Sequence, residues 1–416
     1  MHDYPIILFL AILTLAYGLI SRVSERMPIT APMIFVTVGI AVGPLGLGWF
    51  DSTLEDSVIR LVAEITLVSI LFVEASTIDL KALLRERDLS IRLLCIGLPL
   101  TMILSTFAAA ALFPEMSWWL LALMAFMLSP TDAALGQAVV TSERVPPTIR
   151  RAIATESGLN DGLVLPPILI CMAALGAGAS HVEVEGPSYW TAFIAAQLLL
   201  GPLAGSLVGW VGGFAVDYCA TRALMSPTFQ RLAAVCLAVV AWALAEEIGG
   251  NGYIAAFVGG LLLGIRHESV RERVQDYAEA EGEQLTLFVF LVFGLAMVPT
   301  FIDLWTWESW LYALLCLTVL RMLPVFLSLF GSPLSAGDRL FVGWFGPRGI
   351  ASVLYLEMVV LDLGAGGMDQ MLGVVVLTVL LSVFLHGLSA VPLTRLYGQG
   401  AAPAPPVLTE RSGAQN

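Results

Sequence analysis

The chain has 416 residues, is 58% hydrophobic and only 13% charged, and carries a net charge of −13. Soluble proteins are roughly 45–50% apolar and ~25% charged, so this composition, with a mean hydropathy of +0.87, excludes a soluble enzyme or a DNA-binding protein. The apolar residues form continuous runs rather than alternating, which excludes a β-barrel and leaves an all-α polytopic membrane protein.

A bilayer core about 30 Å thick is crossed by roughly 20 apolar residues in a helix. Thirteen such spans are predicted, over 5–22, 31–50, 58–76, 91–113, 117–140, 149–176, 190–216, 230–246, 252–265, 283–301, 308–330, 337–360 and 370–395. The eighth and ninth are short and separated only by Glu246-Glu247-Ile248-Gly249-Gly250-Asn251. The start, Met1-His2-Asp3, is acidic and unlike a cleavable signal peptide. Cys95, Cys171, Cys219, Cys236 and Cys316 all fall in or beside apolar runs without metal spacing, and read as small buried residues. The segment 401–416 reads as a short disordered cytoplasmic tail. With no soluble domain predicted, neither a nucleotide nor a nucleic acid is an expected partner.

Basic residues gather in cytoplasmic loops. With the N-terminus outside and the C-terminus inside, Arg22, Arg26, Lys81, Arg85, Arg87, Arg92, Arg144, Arg150, Arg151, Arg222, Arg231, Arg266, Arg271, Arg273, Arg339, Arg395 and Arg411 are all cytoplasmic, 17 of the 20 basic residues. The opposite loops carry only acids, such as Asp51, Glu115, Glu183 and Asp303. Arg60 lies near a span end and can snorkel. Arg321 and Arg348 lie inside spans. The count of thirteen divides as six, a linking helix and six, the arrangement of an inverted repeat.

Polar groups inside a membrane are costly and usually face a partner or a cavity. In the third span, Glu74 and Asp79 read as flanking the inner membrane surface, with the rim of a cytoplasmic funnel as the alternative. The fifth span is interrupted at Ser129-Pro130-Thr131-Asp132. Proline removes a backbone donor, and freed carbonyls beside a hydroxyl and a carboxylate are hard ligands for a small cation. A proline kink with Asp132 paired to an arginine is an equal alternative at that point.

In the sixth span, Glu156 and Asn160 share one stripe, and Ser157 and Asp161 share the next. Gly158 and Gly162 admit a close neighbour. The twelfth span is broken at Gly346-Pro347-Arg348-Gly349. Broken helices at corresponding positions of two halves point to a transport site. Arg348 is expected to pair with Glu156, and Arg321 is a second candidate partner for a carboxylate. Glu64 and Glu357 have no assigned partner. His386 is the one intramembrane histidine; it reads as a packing residue, with pH sensing as the alternative.

The ordered set of Val38-Gly39 to Gly43-Pro44, Leu71-Phe72-Val73-Glu74, Thr131-Asp132, Glu156 to Asp161, Arg321 and Gly346-Pro347-Arg348-Gly349 resembles the monovalent cation/proton antiporter superfamily, in its sodium/proton exchanger branch. The resemblance covers nearly the whole chain. It implies a homodimer in which 1–400 forms the transmembrane domain. A six-helix core including about 91–176 and 308–395 would carry two crossed broken helices, and the remaining spans would form a dimerisation domain.

The resemblance also implies a Na⁺ site at Thr131, Asp132, Glu156, Ser157 and Asp161, stabilised by Asn160, Arg348 and Arg321. Asp161 would bind either cation or proton, and Asn160 stands where electrogenic relatives carry a second aspartate. The sequence departs from the family at Ala133, a proline in many relatives, which leaves the unwinding to Pro130.

The implied activity is electroneutral one-for-one exchange of Na⁺ or Li⁺ for H⁺ in a bacterial inner membrane, without a cofactor. K⁺/H⁺ or mixed exchange is the alternative within transport. A cation channel and an intramembrane enzyme are the remote ones. No Thr-Val-Gly-Tyr-Gly filter occurs, and an aspartic dyad of Asp132 and Asp161 would leave the broken helices and buried arginines unexplained.

Overall fold

The computed structural model describes residues 4–24, 29–50, 57–78, 87–132, 135–179, 187–266, 270, 282–364 and 366–400. Among them the secondary structure is entirely helical. The first half contains α1 (Tyr4–Ser24), α2 (Ala31–Val42), α3 (Ser57–Thr77), α4 (87–112, with a π-helical turn at Leu93–Gly97), α5 (Trp118–Met127) and α6 (Gln137–Val140). Next come α7 (Pro147–Ala179), α8 (Pro187–Thr221), α9 (Pro227–Glu247) and α10 (Gly252–Arg266). The chain ends with α11 (282–301, with a π-helical turn at Phe293–Met297), α12 (Trp307–Leu317), α13 (Val319–Ser328), α14 (Ala336–Trp344), α15 (Ile350–Leu363) and α16 (Asp369–Gly400).

Each predicted span falls on one of these helices or on a broken pair. Seven helical stretches among the described residues, at 88–112, 147–176, 195–221, 227–247, 282–304, 307–328 and 369–398, are long and apolar enough to cross a membrane. The protein is thus an integral multi-pass membrane protein.

Two predictions of element extent are corrected. The span at 31–50 is helical only to Val42; Gly43-Pro44 ends it, and the turns that follow close on the free carbonyls of Ala41 and Val42, which accept from Leu47 and Trp49. The span at 308–330 is two helices, kinked at Thr318, whereas 117–140 is divided into α5 and α6 by the expected interruption. Spans eight and nine are separate helices. Gly249, at φ +78°, makes the turn, Glu246 accepts from the Gly252 N–H, and Asn251 caps α10 through the Ile254 N–H.

Asp79 and the tail 401–416 lie outside the described residues. Cys171 and Cys316 are buried as expected, but Cys219 is half-buried and Cys95 and Cys236 are exposed.

Glycines set the tightest helix contacts, since lipid tails give apolar side chains little reason to associate. A Cβ at Gly39 of α2 would lie 2.3 Å from the Leu291 carbonyl oxygen of α11, and one at Gly294 would lie 2.3 Å from that of Val36. The apolar core between α2, α3, α5, α7, α11, α15 and α16 holds Phe35, Leu71, Met124, Leu165, Phe290 and Tyr355. Of the two broken helices, the halves α5 and α15 pack in this core, and the halves α6 and α14 pack in a second apolar cluster through Val139, Phe341 and Val342.

Candidate functional site

Pro130 has no N–H, and α5 stops just before it. Its last carbonyls are orphans by helix geometry. They are satisfied from the second broken helix: Arg348 Nη1 donates to the Ser129 and Pro130 carbonyls at 2.7 and 2.9 Å, and Ser352 Oγ donates to the Met127 carbonyl at 2.7 Å. In return, Asp132 Oδ2 accepts the Ile350 N–H at the start of α15, 2.8 Å away, and the Asp132 N–H donates to the Pro347 carbonyl at 2.9 Å. A guanidinium therefore caps the negative end of one half-helix, and a carboxylate caps the positive end of the other. Gly349 makes the crossing possible, because a Cβ there would lie 1.9 Å from Asp132 Oδ2.

α7 runs beside the crossing. Ser157 Oγ donates to the Thr131 carbonyl at 2.5 Å, and Asn160 Nδ2 donates to Thr131 Oγ1 at 2.8 Å. Tyr355 Oη on α15 donates to the Asp161 carbonyl at 2.8 Å. The Asp161 carboxyl lies within electrostatic reach of that of Glu74 on α3 and of Asp132. Among the described residues no basic side chain pairs with Asp161. Carboxyls clustered this closely disfavour one another's ionised forms, so this group of oxygens can hold either a proton or a small hard cation.

The expected partner of Glu156 is corrected. Arg321 on α13, not Arg348, pairs with it, through Nη1–Oε1 and Nη2–Oε2 contacts of 2.7 Å each. Both side chains are about 1% exposed. The Nη2 contact is a hydrogen bond, and the Nη1 contact adds the attraction of a close ion pair. Arg348 is drawn instead to the orphan carbonyls of α5.

Thr131, Asp132, Ser157, Asn160 and Asp161 are thus brought together. Glu156 and Arg321 pair within the same buried region, and Arg348 holds the crossing from its far side. Glu74 corrects the expectation of a residue flanking the membrane: it faces Asp161 and is half-buried. Its position near the inner end of the third span, with Asp79 close behind, made a membrane-flanking residue the simpler reading.

Gly158 and Gly162 act as expected. A Cβ at Gly162 would meet the Phe257 ring of α10 at 2.3 Å, and one at Gly158 would lie 4.0 Å from the Glu74 carbonyl oxygen. Glu357 is buried on α15. Glu64 joins Glu246 and Asp362 in lining a separate cavity of about 530 Å³.

The family model for the transmembrane sodium/hydrogen exchanger matches residues 9–396. A K⁺/H⁺ antiporter NhaP2 of Shewanella sp. (strain MR-4) is 26% identical over 97% of this chain and 69% of its own length. A K⁺/H⁺ antiporter NhaP of Alkalimonas amylolytica is 24% identical over 94% of this chain and 66% of its own. Among solved structures, the sodium proton antiporter MjNhaP1 of Methanocaldococcus jannaschii at pH 8 superposes with a TM-score of 0.75 at 20% identity, over 94% of this chain and 98% of that one. The likeness extends to the fold as a whole, and a model match over nearly the full length places the chain in a family of transporters rather than enzymes. The chain belongs to the sodium/hydrogen exchanger family.

Proposed function

We propose that the chain is a secondary active antiporter that exchanges a monovalent cation, Na⁺ or Li⁺, for H⁺ across the bacterial inner membrane, electroneutrally and one for one. The observation that carries this reading is the meeting of Asp161 with Glu74 beside Asp132 and the Thr131 carbonyl, without a fixed cation. A cation entering these oxygens displaces a proton held there, and the competition couples the two fluxes. Asp161, Asp132, Ser157 and the Thr131 carbonyl hold the cation, with Glu74 at its side. Glu156, locked by Arg321, orients the helix that carries Asn160 and Asp161.

Transport proceeds by alternating access, with a core domain around 91–176 and 308–395 sliding against a dimerisation domain in a homodimer. A bare buried carboxylate is expensive, so the core moves when Asp161 holds a cation or a proton. The distribution of Arg and Lys supports an outside N-terminus and a cytoplasmic C-terminus, and thirteen crossings as six, one and six.

K⁺/H⁺ exchange is the second reading, favoured by the names of the bacterial relatives. Purified protein in liposomes with an imposed pH gradient separates the two. Collapse of the gradient on adding Na⁺ or Li⁺, with the voltage clamped by valinomycin and K⁺ and lost in Asp161→Asn, is the expected result. Collapse with K⁺ alone, in vesicles without ionophore, selects the second reading. No response to any of the three cations overturns both.

A further inference from the structure

α16 is apolar along most of its length, yet Ser382, His386 and Ser389 follow at i, i+4 and i+7 and so share one stripe. The stripe faces the interruption between α14 and α15. Ser382 Oγ accepts the Arg348 N–H at 2.6 Å. His386 Nδ1 lies 3.1 Å from that oxygen and 3.2 Å from the Ser382 carbonyl. Ser389 Oγ accepts the Trp344 indole N–H at 3.0 Å, and the Trp344 and His386 rings lie 5.2 Å apart, centre to centre. Trp344 ends α14, and Arg348 stands just before α15. One stripe therefore grips both edges of the break.

The break leaves the Arg348 N–H without a helical acceptor, and a buried donor needs a partner. Ser382 supplies the oxygen. A hydroxyl that accepts one hydrogen must direct its own elsewhere, and His386 Nδ1 is within reach to take it, which turns the serine lone pair toward Arg348. The next residue back along the break is Pro347, whose carbonyl accepts the Asp132 N–H.

We propose that His386 is a positioning residue of the exchange site: through Ser382 it fixes the Arg348 backbone, and so keeps the Pro347 carbonyl and Arg348 guanidinium in register with Asp132. The proposal rests on the reading that Asp132 and its neighbours bind the transported cation.

The test is the initial rate of exchange against cation concentration in proteoliposomes of wild type, His386→Leu, His386→Asn and Ser382→Ala, with thermal unfolding measured on the same preparations. His386→Leu and Ser382→Ala raise the apparent KM for the cation about tenfold, with the maximal rate within about threefold of wild type, as loss of one buried hydrogen bond predicts. His386→Asn, whose amide reaches the Nδ1 position, restores KM to within about twofold. Should His386→Leu fail to fold, Ser382→Ala carries the test alone. A wild-type KM in the Leu variant, or in Ser382→Ala where that stands alone, overturns the proposal. Equal defects in Leu and Asn with matching losses of unfolding temperature also overturn it, since they mark a packing role only. Absence of exchange by wild type defeats the antiport reading instead.

Discussion

On α7, Glu156 and Asp161 are both buried, at 1% and 4% exposure, and their surroundings differ in what compensates the charge. Glu156 meets a guanidinium on both oxygens. Asp161 meets another carboxyl, Glu74, with Asp132 nearby. A carboxylate in a low-dielectric interior must be paired or protonated. The first is paired by a residue that cannot leave. The second has no basic side chain paired with it among the described residues. One helix thus carries, on adjoining stripes, a carboxylate with a fixed counter-charge and, in the proposed reading, one whose counter-charge is exchanged.

The sharpest way to break this contrast is to remove each carboxylate in turn. Asp161→Asn is expected to bring exchange in proteoliposomes down to background. Its thermal unfolding midpoint stays at or above wild type, because the change deletes an uncompensated buried acid. A variant that still exchanges would show that Asp161 is not the coupling group.

Disturbing the fixed pair should act on stability instead. Arg321→Met strands Glu156 and costs ~3–5 kcal/mol, the usual loss when one member of a buried pair is removed. The double variant Arg321→Met with Glu156→Gln recovers most of the lost unfolding temperature. If the double variant is no more stable than the single one, the two residues do not compensate each other.

Gly349 tests the frame in which Asp132 sits. Gly349→Ala drives a methyl into the space of Asp132 Oδ2, 1.9 Å away, with an expected cost of about 1–3 kcal/mol and a clear loss of exchange rate. Gly366→Ala, where nothing lies within 4 Å, should stay within about 0.5 kcal/mol. Equal behaviour of the two would mean that the crossing yields easily.

The helices and the two interruptions were legible because each has a local cause: runs of apolar residues, Ser129-Pro130 and Gly346-Pro347. So was the clustering on α7, since Glu156, Ser157, Asn160 and Asp161 fall on adjoining stripes whatever the fold. Partner choice was not legible. Arg321 and Arg348 both sit in apolar segments, and only the rotation of α13 against α7 and the orphan carbonyls of α5 decide which one Glu156 receives. Glu74 escaped for a related reason. A carboxylate near the end of a span looks like a loop residue until the crossing broken helices bring the site to its depth. The stripe of Ser382, His386 and Ser389 had a readable period, but its target, the edge of a break in another helix, is a tertiary fact.

The finest distinction concerns Ser157, whose hydroxyl donates to the Thr131 carbonyl. Two roles give opposite signs. If the serine oxygen is itself a ligand of the exchangeable site, Ser157→Ala removes a donor of electron density and weakens cation binding. If the serine only occupies a lone pair of the Thr131 carbonyl, removing it frees that oxygen and strengthens binding. The 2.5 Å contact places the hydroxyl oxygen next to the Thr131 carbonyl proposed as a cation ligand, and the carbonyl has a second lone pair, so both oxygens can face an ion together. The expected outcome is therefore an apparent KM for the cation raised by roughly five- to tenfold, equivalent to about 1 kcal/mol, with little change in maximal rate or unfolding temperature because Asn160 still holds Thr131 through its hydroxyl. A lowered KM would reverse the assignment and leave Ser157 as a brace of the broken helix.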